Sequence, residues 1–150
     1  MLESPAFQVL SRAARQILHR LEIEHMHHGG EENGALKCTY KNFVQYGIHL
    51  AGVASAIREL EALGFLEVTE RGCGGNSDER NPNLYRLTYL RAKGADNAGT
   101  HEWQTRAQTI DEAEAIAKRA RSDIDQLLAE RGRRQAARRA PDGAELQTSQ

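Results

Sequence analysis

The chain has 150 residues, 39% of them apolar and 27% charged, with a formal net charge of −1. That length fits one domain of ordinary size with an appendage, and the lean apolar fraction allows one modest core plus solvated sequence. A near-neutral total excludes a polycation that coats nucleic acid regardless of sequence, while leaving room for a local basic patch.

Ser4-Pro5 offers an N-cap followed by proline at the first helical position. Phe7, Leu10, Ala14, Ile17, Leu18 and Leu21 then recur at spacings of three and four, one face of a helix. Ser11 is placed to restart that helix, so residues 5–26 are one element or two. Gly29-Gly30 and Asn33-Gly34 mark a turn-rich loop. Leu36 and Cys38 alternate with Lys37 in a short extended segment. Thr39 is placed to cap a brief helix, Tyr40 to Tyr46, ended by Gly47. Val53, Ile57, Leu60 and Leu63 form the stripe of a further helix closed by Gly64, with Phe43, Val44, Leu18 and Leu21 expected across the core.

Residues 65–70 (FLEVTE) and 84–90 (LYRLTYL) have the β-branched, aromatic and alternating character of strands. The polar RGCGGNSDERNPN between them suits a hairpin loop. These elements define a first domain over residues 1–91. Residues 92–109 read as a linker in which Trp103 anchors the segment on that domain. Ile110, Ala113, Ala117, Ala120, Ile124 and Leu127 then repeat at alternating spacings of three and four, an alanine-rich seam on a helix over 110–139. That helix ends in RGRRQAARR, five arginines in nine residues. The proline- and glycine-punctuated residues 140–150 are expected to be disordered. The fold class expected is mainly α with a small β-hairpin, an α+β chain.

The segment YKNFVQYGIHLAGVASAIRELEALGFLEVTE has a short helix, a Gly-Ile turn, a helix ending in RELEALGFL, and a strand. In this order, with the elements around it, residues 1–91 resemble the winged helix-turn-helix DNA-binding proteins of bacteria, the transcription regulators and plasmid replication initiators. The resemblance implies a winged helix-turn-helix carrying a long C-terminal helix, with a recognition helix at about 49–63 in the major groove, which is wide enough to admit one helix. The loop 71–83 would be the wing. The implied partner is double-stranded DNA, with transcriptional regulation the expected role and no catalysis.

On that reading the recognition helix presents Leu50, Ala51, Ser55, Arg58 and Glu59, with His49 at its start. Arg58 is the candidate for a bidentate guanine contact and Ser55 for a base or phosphate hydrogen bond. Ala51 lets the backbone approach, and Tyr40 and Lys41 open the preceding helix, whose N-terminus suits a phosphate. Arg71 and Arg80 in the wing, and Arg86 on the following strand, are placed for minor-groove or phosphate contacts. Each has a blander counterpart: Arg58 beside Glu59 and Glu61 also fits a solvated helix face, and Glu70, Asp78 and Glu79 leave the wing nearly neutral. A near-neutral winged helix also suits a protein–protein adaptor that never touches DNA. The 110–128 seam suits a homodimer, or packing back on its own domain.

Other chemistry is thinly represented. His25, His27 and His28 lack the second pair of ligands a zinc site needs, so neither metal nor cofactor is expected. Glu22 and Glu24 point to different sides of their helix, no GxSxG elbow occurs, and the glycines around Cys73 lack the lysine of a phosphate-binding loop. The start, MLESPAFQVL, lacks the regions of a secretory leader, and no run reaches a membrane-spanning length. Cys38 and Cys73, with no CxxC pairing, are expected to be free thiols in the cytoplasm.

Overall fold

The computed structural model describes residues 1–72 and 82–122. Arg80 with the rest of residues 73–81, expected as part of the wing, and residues 123–150, expected as the rest of the last helix and a disordered tail, lie outside them. The described chain is α+β. Helices α1 (Pro5–Gln8) and α2 (Arg12–His27) precede a short strand β1 (Leu36–Lys37). Next come helices α3 (Tyr40–Gln45) and α4 (Leu50–Ala62), strands β2 (Leu66–Glu70) and β3 (Leu84–Leu87), and the single-turn α5 (Trp103–Arg106). A last helix, α6, covers 110–122 of the described residues. No helix among these is long and apolar enough to cross a membrane.

Local chemistry sets the boundaries. Ser4 and Ser11 each cap a helix, accepting from the backbone N–H of Phe7 and Ala14, so residues 5–26 form two helices. Thr39 and Asn42 form a reciprocal capping box on α3. Thr109 and Glu112 act likewise at α6: Thr109 Oγ1 accepts from the Glu112 N–H, and Glu112 Oε2 from those of Gln108 and Thr109. Gly47, at φ +95°, turns the chain between α3 and α4. Gly64, at φ +81°, ends α4 where a Cβ would lie 2.7 Å from the Trp103 backbone nitrogen.

The three strands form an antiparallel sheet in the order β1-β3-β2. Leu36 pairs with Tyr85, and Leu66 with Leu87, with a bulge between Val68 and Glu70. The strand expected over 84–90 stops at Leu87. Thr88 turns inward, its hydroxyl donating to the Gly64 carbonyl, and the Leu90 N–H closes a turn on Leu87.

One core lies between the sheet and α2, α3 and α4. Ile17, Leu18, Leu21, Phe43, Val53, Ile57, Leu60, Leu63, Tyr85 and Leu87 are buried in it. Rings meet edge to face, Phe43 on Tyr85 at 6.0 Å and Phe7 on Phe65 at 5.8 Å, while Trp103 stacks parallel on Phe65 at 6.1 Å. Val44, expected in this core, is instead exposed, because α3 is so short that only Phe43 turns inward. The alanine seam packs in cis: Ala113 and Ala117 are fully buried in the chain's own core, and Ala120 nearly so. Over these residues the surface expected to meet a second copy is already covered.

The loop before β1 is held by a buried amide. Asn33, fully enclosed, donates through Nδ2 to the carbonyls of Leu87, Leu90 and Arg91 and accepts at Oδ1 from the Leu87 N–H at 2.7 Å. Substituting Asn33→Ala leaves that N–H and three carbonyls without their partner. It is expected to cost about 2–4 kcal/mol, at about 1–3 kcal/mol for a buried unsatisfied group. Urea unfolding followed by circular dichroism measures this; a loss below about 0.5 kcal/mol would show that the amide is replaceable.

Candidate nucleic-acid interface

The α3–turn–α4 unit presents one continuous surface. Its buried side is fixed by Phe43, Ile48, Val53, Ala56, Ile57 and Leu60. The outer side carries Tyr40, Lys41, Val44, Tyr46, His49, Leu50 and Ala51, all exposed, with Ser55 and Arg58 half-buried. Leu50 has 60% of its surface in solvent, and Val44 and Tyr46 beside the turn are exposed as well. His49 is the N-cap of α4 without a side-chain cap bond, so the first turn of α4 has no side-chain partner for its N–H groups from that residue.

Tyr40, Arg58 and Arg71 come together although they are distant in sequence. Burial pushes the Tyr40 phenol up, while the neighbouring positive charges of Arg58 and Arg71 pull it back down. Arg71 leaves the end of β2 and places Nη2 3.2 Å from both carboxylate oxygens of Glu61. That pair is open to solvent, so it holds the side chain only weakly.

Two residues expected on this interface are engaged elsewhere. Arg86 does not reach outward to a phosphate. Its Nε lies 2.5 Å from Glu67 and its Nη2 2.7 Å from Glu102, with Nη1 on the Thr100 hydroxyl. Partial burial works against its charge, but the hydrogen bonds it donates to Glu102 and Glu67 outweigh that and hold the guanidinium more firmly protonated. Antiparallel pairing across the sheet puts Glu67 directly opposite Arg86, and the segment after β3 brings Glu102 alongside.

Glu59, expected on the exposed face of α4, has no exposed surface. Its Oε1 accepts from the Ser11 N–H and from Arg121 Nη1, each at 2.8 Å. The start of α2 and the described part of α6 close over it. The remaining oxygen, Oε2, has no hydrogen-bond partner among the described residues.

The histidines at the end of α2 do not converge. His28 Nε2 lies 3.2 Å from Glu24, His27 is exposed, and half-buried His25 packs against Gly30. Among the described residues no group of three or more His, Cys, Asp or Glu is arranged to hold a metal ion. Glu22 and Glu24 are likewise separated, one accepting from the Tyr89 hydroxyl at 2.6 Å and the other paired with Arg20. No protein-family model, curated protein or solved structure matches the chain.

Cys38 is a core residue, its thiol pushed up to about 11 by burial. The thiolate therefore forms only above the ordinary thiol range while the chain is folded. In a Cys73→Ser background, iodoacetamide at pH 8 is expected to leave Cys38 unmodified in native protein and to alkylate it fully in urea, as read by intact mass. Equal alkylation in both states would place the thiol at the surface.

Proposed function

We propose that this chain is a winged helix-turn-helix protein that binds double-stranded DNA, inserting the outer face of α4 into the major groove. The observation that carries the reading is the arrangement of α4. Its aliphatic stripe is pinned in the core, while Leu50, Ala51, Ser55 and Arg58 stay accessible beside Lys41, His49 and Arg71. The element order α2-β1-α3-α4-β2-β3 and the sheet order β1-β3-β2, with the β2–β3 hairpin beside α4, support the same reading.

On this reading Arg58 reads a base edge, Ser55 and Tyr40 hydrogen-bond to bases or backbone, and Lys41 and Arg71 contact phosphates. Leu50 and Ala51 offer apolar contact to thymine methyl groups. The protein acts in the cytoplasm as a regulator of transcription, binding rather than catalysing, and needs no cofactor.

The exposed apolar side chains Val44, Tyr46 and Leu50 on this face favour a second reading, an adaptor that docks another protein. A fluorescence-anisotropy titration at low salt with a randomised duplex library, followed by titration with the selected duplex, separates the two. DNA binding predicts retention of duplexes with log affinity falling linearly against log salt. Arg58→Ala is expected to cost about 1–3 kcal/mol on the selected duplex and to relax its sequence preference, while Lys41→Ala weakens all duplexes alike. No binding at low salt would leave the adaptor reading.

A further inference from the structure

A cleft lies at the other end of α4 from the turn. It encloses about 670 Å³ and is walled by Arg58, Glu61, Arg71, Arg106 and Arg119, with Ala62, Ile116 and Ala120 as its apolar part. That volume is in the range that holds a small molecule, about 300–1,000 Å³. Four guanidiniums face one carboxylate, and that carboxylate is already bridged by Arg71. The arginines come from three helices and the end of β2, so only the tertiary fold collects them.

A neighbouring cleft of about 330 Å³ makes the contrast. It shares Glu61 and Arg106, but its charges are balanced by Glu67, Glu102 and Arg86, and Arg86 is paired with both of those carboxylates. The larger cleft has no such balance on its described walls. Like charges gathered around a concavity repel one another and raise the local potential, and a bound anion relieves both. Guanidinium groups recognise phosphate and carboxylate through paired N–H donors.

We infer that this cleft binds a small molecule carrying two or more clustered anionic groups, phosphate or carboxylate. Arg106 from α5 and Arg119 from α6 line it together with Arg58 of α4 and Arg71 at the end of β2. A duplex is a poorer occupant, because its phosphates are spread along a convex cylinder whereas these arginines line a single cleft. The inference stands apart from the DNA reading: a chain that binds the small anions and no duplex keeps this site and loses the other proposal.

Inorganic pyrophosphate and citrate serve as the probes, the first presenting phosphate groups and the second carboxylates. Thermal unfolding of the full chain is followed at constant ionic strength, set with sodium chloride. The expected result is a saturable rise of the midpoint with at least one probe, since a ligand that binds only the folded state stabilises it by mass action. The variant carrying Arg106→Gln and Arg119→Gln should lose that response by about tenfold or more in probe concentration, with its probe-free midpoint retained. Arg12→Gln, on the exposed start of α2, should respond as the unaltered chain does.

Should the double variant not fold, Ala62→Glu decides the matter. It sets a tethered carboxylate among the arginines at the end of α4 and should abolish the response. No saturable rise with either probe, or a rise that survives in whichever of these variants folds, overturns the inference.

Discussion

A single buried carboxylate oxygen ties three parts of this chain together. Glu59 projects from α4 into the space between the start of α2 and the described part of α6, and its Oε1 takes a backbone N–H from Ser11 and a guanidinium N–H from Arg121. A charge without solvent is tolerated only when partners replace the water it has lost. The requirement is mutual: α4 must lie where Ser11 can reach it, and α6 must lie where Arg121 can. Since α4 carries both the exposed interface and one wall of the arginine-lined cleft, the geometry of each inherits this constraint.

The two ends of α4 differ in chemistry for a related reason. Near the turn, short or apolar side chains such as Leu50, Ala51 and Gly52 keep the helix slim, and nothing else among the described elements covers that side. Toward its end, α5 and α6 draw in, bringing Arg106 and Arg119 to the same place as Arg58 and Glu61. The slim end suits a groove in a partner, and the walled end is itself a groove. Arg58 lies where the two meet.

Much of the fold was legible because it is written in local chemistry. Caps at Ser4, Ser11 and Thr39, glycines at positive φ ending α3 and α4, and the Val53–Ile57–Leu60–Leu63 stripe all act within a few residues of themselves. What stayed hidden depends on distant partners. Glu59 sits one residue after Arg58 and before Leu60, and helical periodicity alone cannot tell that α6 folds back to enclose it. Arg86 looked free until the sheet register put Glu67 opposite and the following segment delivered Glu102. Asn33 read as half of a turn signal, with nothing nearby to reveal its role as a fourfold hydrogen-bonding plug. The clustering of Arg58, Arg71, Arg106 and Arg119 had no sequence signature, since the four lie on separate elements. The cis packing of Ala113 and Ala117 was one of two open alternatives, and only tertiary contact selects between them.

The same asparagine bears on how the chain ages. Asparagine followed by glycine is chemically fragile: the next residue's main-chain nitrogen attacks the side-chain carbonyl carbon, ammonia leaves, and a succinimide opens to aspartate or isoaspartate. Here the Asn33 side chain is gripped at both its oxygen and its nitrogen, and the Gly34 N–H is directed onto the Tyr85 carbonyl. Neither reactant is free to swing into the cyclising geometry. Folding thus shields the dipeptide, and isoaspartate formed at position 33 in stored protein would report how often this loop comes open.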